Sequence, residues 1–371
     1  MNRNNGPANM STQGFAWVEF KRGELTTDNA TLNLWHRPSL FASSSPSAST
    51  TYSSAMRDAL NALFVGSFAI SLCCGLLGCT APQARSCSGA PLDRPMMAPE
   101  KRARLEADLR AAEIAAQEAP ESEDAAIWVG RRLSYLGRYQ DAIAYYTDAI
   151  AQFGATAKLL RHRGHRYITV REFDRAREDL ANAWLLAAAQ LDAVEPDGIP
   201  TAAGPRSTLK GNIAYHRALA EFCLGDFESA RIHWRDAIDV ATNDDSRVAA
   251  LYWLAVTEFE RGSATDALAA LDLITPSMDV QENQTYLQLA LLFKETRDAN
   301  ALLATDSALG IGVDRATLGF GKAMHARYIL KDERQSQRFL EETAGLAEWA
   351  AFGVIASDAM LAREAAHEST R

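Results

Sequence analysis

His162 and His165 stand three residues apart in the run Arg161-His-Arg-Gly-His-Arg, close enough on a helix for two imidazoles to share a metal ion. Arginines flank both, and neither a cysteine nor a third histidine is near. The pair therefore reads better as part of a polar binding face. Gly319-Phe-Gly-Lys-Ala has the outline of a phosphate loop, but Ala316 stands where that motif needs its first glycine and Ala323 where it needs a hydroxyl. Neither His-Glu-x-x-His nor Gly-x-Ser-x-Gly occurs. The sequence thus assigns no catalytic residue, metal ligand or cofactor, and points away from an enzyme. What remains is recognition chemistry. Arg131 and Arg161 offer planar forks that suit carboxylates, and Lys158 adds a point charge.

These residues belong to a repeat. Gly130, Leu133, Tyr139, Ala142, Tyr146 and Ala149 return 34 residues later as Gly164, Tyr167, Phe173, Ala176, Leu180 and Ala183. Small residues recur where two antiparallel helices cross closely, and large ones where they fill the space between. Gly225, Phe227, Ala230, Trp234 and Ala237 repeat the second half of the pattern, as do Gly262, Ala264, Ala267, Leu271 and Ile274. The chain resembles tetratricopeptide-repeat proteins over about 100–364. That resemblance implies an all-α solenoid, a right-handed superhelix of antiparallel helix pairs, whose A helices line a concave groove. Helix A is predicted to break near Gly137, Arg171, Gly225 and Gly262. Glu221 and Glu258 occupy an A-helix position where the family carries a large aromatic. Either a small rotation of the helix brings both carboxylates to solvent, or they make a polar contact between units. The segments Arg161–Ala176, Glu195-Pro-Asp-Gly-Ile-Pro and Trp349-Ala-Ala-Phe-Gly look like a narrower group of bacterial repeat proteins, which brings an architecture and no activity.

The repeat predicts the groove: Arg131 and Tyr135 from the first unit, Lys158, Arg161 and His165 from the second, Tyr215, Leu219 and Phe222 from the third, and Tyr252 and Phe259 from the fourth. Residues 128–177 hold ten Lys/Arg against four Asp/Glu, whereas 244–306 hold four against eleven. So steep a split suggests an oriented ligand with an acidic end and then an apolar stretch. The net charge of −9 gives no reason to expect nucleic acid.

Ahead of the repeats, Met56 and Arg57 precede the apolar stretch from Ala59 to Gly78, which has the layout of a secretory signal. It ends Leu76-Leu77-Gly78-Cys79, which resembles the bacterial lipobox. The resemblance implies diacylglycerol on the Cys79 sulfur, cleavage after Gly78 and acylation of the new terminus. An uncleaved membrane anchor is the competing expectation. Residues 1–55 are rich in Ser, Thr and Asn and cannot bury a core, so they read as disordered or as a mis-assigned upstream segment. The expected organisation is therefore a signal peptide at 56–78, a lipidated cysteine and flexible Pro-rich tether at 79–99, and a solenoid at 100–366. The solenoid would carry an insertion at about 191–210 and end in a capping helix from Ala350 to Ala366. Cys73 and Cys74 would leave with the signal, and Cys223 reads as a packing residue.

The sequence thus predicts a lipid-anchored scaffold in a bacterial envelope, its solenoid facing the periplasm, holding a protein or peptide with an acidic segment. The alternative is a ligand-capture lipoprotein that takes peptides or glycans on the aromatic part of the groove.

Overall fold

The computed structural model describes residues 81–196, 204–294 and 312–370. The apolar segment, Cys79 and everything upstream lie outside the described residues, as does part of the insertion. Helix α1 (Pro99–Glu118) leads. Next come the pairs: α2 (Glu123–Tyr135) with α3 (Tyr139–Phe153), α4 (Ala157–Thr169) with α5 (Phe173–Ala187), α6 (Leu209–Leu224) with α7 (Phe227–Asp239), and α8 (Asp244–Glu260) with α9 (Ala264–Asp272). After them stand α10 (Gln284–Phe293), the pair α11 (Val313–Tyr328) and α12 (Glu333–Ala344), and α13 (Phe352–Ser369). Each first helix packs on its own partner and on the first helix of the next unit, so α2, α4, α6, α8, α10 and α11 form one row. This is an all-α solenoid of the tetratricopeptide type.

Local chemistry sets the repeat. Ser122, Thr156, Thr208 and Asn243 cap α2, α4, α6 and α8 by accepting backbone N–H groups of the first turn. After each of these helices the chain reverses through a left-handed residue: Gly137, Arg171, Gly225 and Gly262, with φ of 69°, 68°, 81° and 79°. Arg171 takes a conformation that a side chain disfavours. Its guanidinium is held at both ends, by the Thr169 carbonyl at 2.6 Å and by Asp358 at 3.1 Å. Helix crossings are as close as the small residues allow. A Cβ on Gly130 would lie 2.3 Å from the Tyr146 ring, and one on Gly164 would lie 2.8 Å from Leu180.

Glu221 and Glu258 do not reach solvent. Both are buried, Glu221 against Arg177 at 2.8 Å and Glu258 against Arg261 at 2.5 Å. Arg177 stands on α5 and Glu221 on α6, so this is the polar contact between units. Trp234 stacks on Trp253, which stacks on Phe320, at 5.8 and 5.1 Å between ring centres. These rings join the third, fourth and last pairs into one core.

Two expectations are corrected. The stretch after residue 80 is not an extended tether where it is described. Ala84–Arg85 pairs with Pro91–Leu92 in a short antiparallel hairpin that packs on the solenoid. The Cys87 N–H donates to the Asp358 carboxylate, and the Trp349 indole donates to the Asp93 carbonyl at 2.8 Å. Each proline lacks a backbone donor, but side chains far along the chain supply the contacts that the composition does not advertise. Nor is α13 only an end cap: its first half is buried, while residues from Ala365 on are exposed. Gly353 to Met360 are all buried, and the helix packs against α4, α6, α11 and α12. It lies on the row of first helices, across part of the concave face.

Gly353 makes that seat possible. A Cβ there would lie 2.1 Å from the Ala316 carbonyl oxygen, which is backbone and cannot turn away. Gly353→Ala should therefore destabilise the fold by about 1–3 kcal/mol or more, read as a lowered urea midpoint with an unchanged slope. Wild-type stability in this variant would show that α13 is not seated on α11 in this way.

Candidate functional site

The part of the concave face that α13 leaves open is a cavity of about 360 Å³. Its walls come from the row of first helices, and Phe352, the first residue of α13, lies among them. The Phe352 ring sits 5.3 Å from that of His165, 5.4 Å from His216 and 6.0 Å from Tyr215. The aromatic surface of the site is thus partly built by the C-terminal helix.

Three arginines enter from α2 and α4. Arg131 lies against the Trp128 ring at 4.7 Å and hydrogen-bonds Tyr135. Arg161 is buried and paired with Glu195 at 2.7 Å. Arg166 lies near the Tyr139 ring at 5.7 Å and has no carboxylate within 4 Å among the described residues. Burial pulls the Arg131 and Arg166 guanidiniums down from their ordinary range, and Arg161 adds to this in both. Such a cation gains more from an arriving anion than a solvated one does.

Glu195 belongs to the insertion. α5 ends at Ala187, before the insertion begins. The chain then doubles back, with Val194 bridged to Thr208 and Glu195 buried beside Arg161, His162 and the Asn212 amide. Insertion and groove are therefore one structure.

Three histidines share the cavity wall. The His216 Nδ1–H donates to the Asn212 carbonyl at 2.5 Å, which leaves Nε2 as an acceptor. His162 Nδ1 accepts from Arg161 at 2.9 Å, since arginine can only donate. His165 and His216 lie ring to ring, 4.2 Å apart. Burial, and after it the neighbouring arginines, drives all three well below the usual histidine range, so they are neutral at pH 7. Among the described residues no cluster of three metal-ligating side chains forms. Cys87 and Cys223 are free thiols pushed up to about 12 by burial, which keeps them protonated.

Of the residues expected in the groove, the structure brings together Arg131, Tyr135, Arg161, His165 and Tyr215. Lys158 is elsewhere, exposed and paired with Asp124 at 2.8 Å. Leu219, Phe222, Tyr252 and Phe259 are corrected to the core, between 0% and 5% exposed. They face the packed interior between helices. Phe222→Ala would therefore cost about 3–5 kcal/mol of stability before it could report on any partner. Arg131 and Arg161 are each only 7% exposed. Reversing the charge of Arg161 would set a carboxylate against Glu195, and so would be a change to folding as well as to recognition. Sequence reasoning misses Arg166, His216, Glu195 and Phe352. Arg166 and His216 adjoin residues it selects, one helical step away. Glu195 and Phe352 lie outside the repeat, where no spacing points to them.

No protein-family profile and no curated protein matches this chain. Among solved structures it is similar to a tetratricopeptide repeat protein from Parabacteroides merdae, at 12% identity and a TM-score of 0.41 over 69% of this chain and 92% of that one. It is also similar to Naa15/Naa10 bound to HypK-THB, at 17% identity and a TM-score of 0.33 over 73% of this chain. There the chain spans 40% of the matched length.

The neutral histidines give the fold a pH dependence of known sign. Unfolding returns each imidazole to a pKa of about 6.5, so below that value the unfolded chain binds more protons than the folded one. The stability they contribute is complete above about pH 6.5 and is lost as pH falls toward their depressed values. His233, held at about 4 chiefly by burial, acts over the same window. Glu221, Glu260 and Glu282, raised by burial, work in the opposite sense. Urea midpoints at pH 7.5 and 5.5 should differ, with the lower at pH 5.5, and His165→Gln should shrink the difference. An equal difference in wild type and variant would mean that His165 is not held neutral by its surroundings.

Proposed function

We propose that this chain is a tetratricopeptide-type binding protein, tethered to a bacterial envelope membrane by lipid on Cys79. In this reading the solenoid faces the periplasm and takes the acidic end of a protein or peptide into its concave cavity. The observation that carries it is the convergence of Arg131, Arg161 and Arg166 on one cavity, with Glu195 the one carboxylate against them among the described residues. A carboxylate entering there would meet donors whose own desolvation has already occurred on folding, which is the preorganisation that favours binding. Helix α13 covers the groove beyond Phe352. An extended strand running the length of the solenoid would collide with it, so the fitting mode is end-on.

The enclosed volume also favours the ligand-capture alternative. About 360 Å³ falls within the range of small-molecule sites, and Tyr215 and Phe352 offer an apolar surface to such a ligand. The two readings share the anionic group and differ in the size and chemistry of the body attached to it.

The described helices include none long and apolar enough to cross a membrane. Tethering therefore rests on the lipobox-like sequence, and several acyl chains would hold stably where one binds reversibly. A clickable fatty acid should label the wild type and not Cys79→Ala. Label retained by the variant would place the lipid elsewhere, and full-length unlabelled protein in the membrane would favour the uncleaved anchor.

The cavity is tested with a fluorescent peptide ending in Glu-Glu-Phe and its C-terminal amide, titrated into the detergent-solubilised full chain. The free acid should bind, and added salt should weaken it. Arg166→Gln should weaken it well over tenfold, since truncating one member of a buried charge pair costs about 2–5 kcal/mol. Circular dichroism would establish that the variant is folded. Unchanged binding by folded Arg166→Gln would move the site away from this cavity.

A further inference from the structure

The cavity has a second pole. Its remaining wall is formed by the first turn of α8, the loop before α10 and the first turn of α11, which contribute Asp245, Glu282 and Asp314. Asp245 is engaged on one side: Oδ1 accepts the N–H groups of Gln281, Glu282 and Asn283 at 2.7–2.9 Å, while Oδ2 lies 3.1 Å from Arg206 as an ion pair without a hydrogen bond. Arg206 also pairs with Asp279 at 3.1 Å. Among the described residues the arginine on this wall is thus already paired with two carboxylates.

Glu282 and Asp314 are left over. Glu282 accepts the backbone N–H of Arg206, while its Oε1 is buried with no hydrogen-bond partner. Asp314 accepts the Thr285 hydroxyl at 2.9 Å. Among the described residues neither has a lysine or arginine within 4 Å. A buried carboxylate oxygen without a donor is costly, because its lost hydration is not replaced. Burial, then the nearby Asp245, also holds the Glu282 carboxyl above its ordinary range, so a cation beside it would be welcomed.

The two walls are therefore opposite in sign. Among the described residues, three arginines on one side face Glu195, and on the other three carboxylates face Arg206. Tyr215, Tyr286 and Phe352 complete the lining. A purely anionic ligand that reaches the arginines brings nothing to Glu282 and Asp314, and a second negative group on it would be repelled there. A ligand with both charges satisfies both walls.

We infer that the cavity selects an amphoteric ligand, a short peptide or amino-acid-like molecule. Its carboxylate faces Arg131 and Arg166, its ammonium faces Glu282 and Asp314, and its apolar body lies against Phe352 and Tyr215. This rests on the reading that the arginine wall takes an acidic end, and adds the charge that must accompany it. A basic side chain next to a terminal carboxylate would present the same pair of charges as a free dipeptide.

The test uses glycyl-phenylalanine, its N-acetyl form and its C-terminal amide, titrated calorimetrically into the detergent-solubilised full chain. The dipeptide should bind, and acetylation or amidation should each weaken it by about tenfold or more. In Glu282→Gln the acetyl and free forms should bind alike, while the amide stays weak. This split between the two ends is one that general misfolding would not produce. If N-acetyl-glycyl-phenylalanine binds the wild type as tightly as the free dipeptide, the amphoteric inference is overturned and the acidic-end reading stands. If all three are inert while the peptide ending in Glu-Glu-Phe binds, the inference again fails alone. If that peptide is inert too, both fall.

Discussion

The carboxylate of Asp358 holds the two ends of the described solenoid to its middle. It stands on α13, accepts the backbone N–H of Cys87 with both oxygens, and pairs with Arg171 in the turn after α4. Five residues on, Arg363 donates to the Cys223 carbonyl at 2.8 Å at the end of α6. Repeat solenoids are otherwise one-dimensional, each unit touching only its neighbours. Here contacts spanning 187 and 271 residues tie the N-terminal hairpin, the second unit and the last helix together. An open groove becomes a cup. The cavity is left where α13 begins, at Phe352, and Phe352 is placed because the rest of α13 is fixed.

The same closure changes what the buried charges do. Arg161 with Glu195, Arg163 with Asp179, and Glu258 with Arg261 are all wholly or partly out of water. Such pairs add little net stability, because desolvation offsets most of their attraction. Their effect is on placement. Arg163 and Asp179 meet through two hydrogen bonds of 2.7 and 2.8 Å across α4 and α5, which fixes the rotation of one helix against the other. Arg161 is likewise held by a residue of the insertion. Arg166, on the same helix and without such a carboxylate, is the cation left to act on something from outside.

Legibility in the sequence depends on the range of the interactions. Capping, the left-handed turns and the small residues at crossings are local, so the 34-residue pattern exposes them. Groove assignment needs each helix's rotation, and there the pattern misleads. In α8 every residue from Val248 to Phe259 is buried, because the helix has neighbours on nearly all sides. An amphipathic rule has no polar face to find there, so Tyr252 and Phe259 look as available as any ring. On α2 and α4 the sequence keeps a polar face, and the pattern places Arg131, Arg161 and His165 rightly at the cavity. The hairpin and α13 depend on partners hundreds of residues away, and periodicity carries no information about those.

One sequence feature changes its meaning in three dimensions. The basic excess of 128–177 and the acidic excess of 244–306 describe a gradient along the chain. In an open solenoid that gradient would run along the groove, and a long ligand would be needed to feel both ends. In the cup, the first helices of early and late units line one cavity, so Arg131 and Arg166 share it with Glu282 and Asp314. The gradient becomes a polarity across a space the size of a small ligand, with low-dielectric walls that strengthen it. Closure by α13 thus does more than stabilise a fold: it brings a charge gradient spread along the chain onto the walls of one small cavity, and the proposed choice between short ligands rests on that.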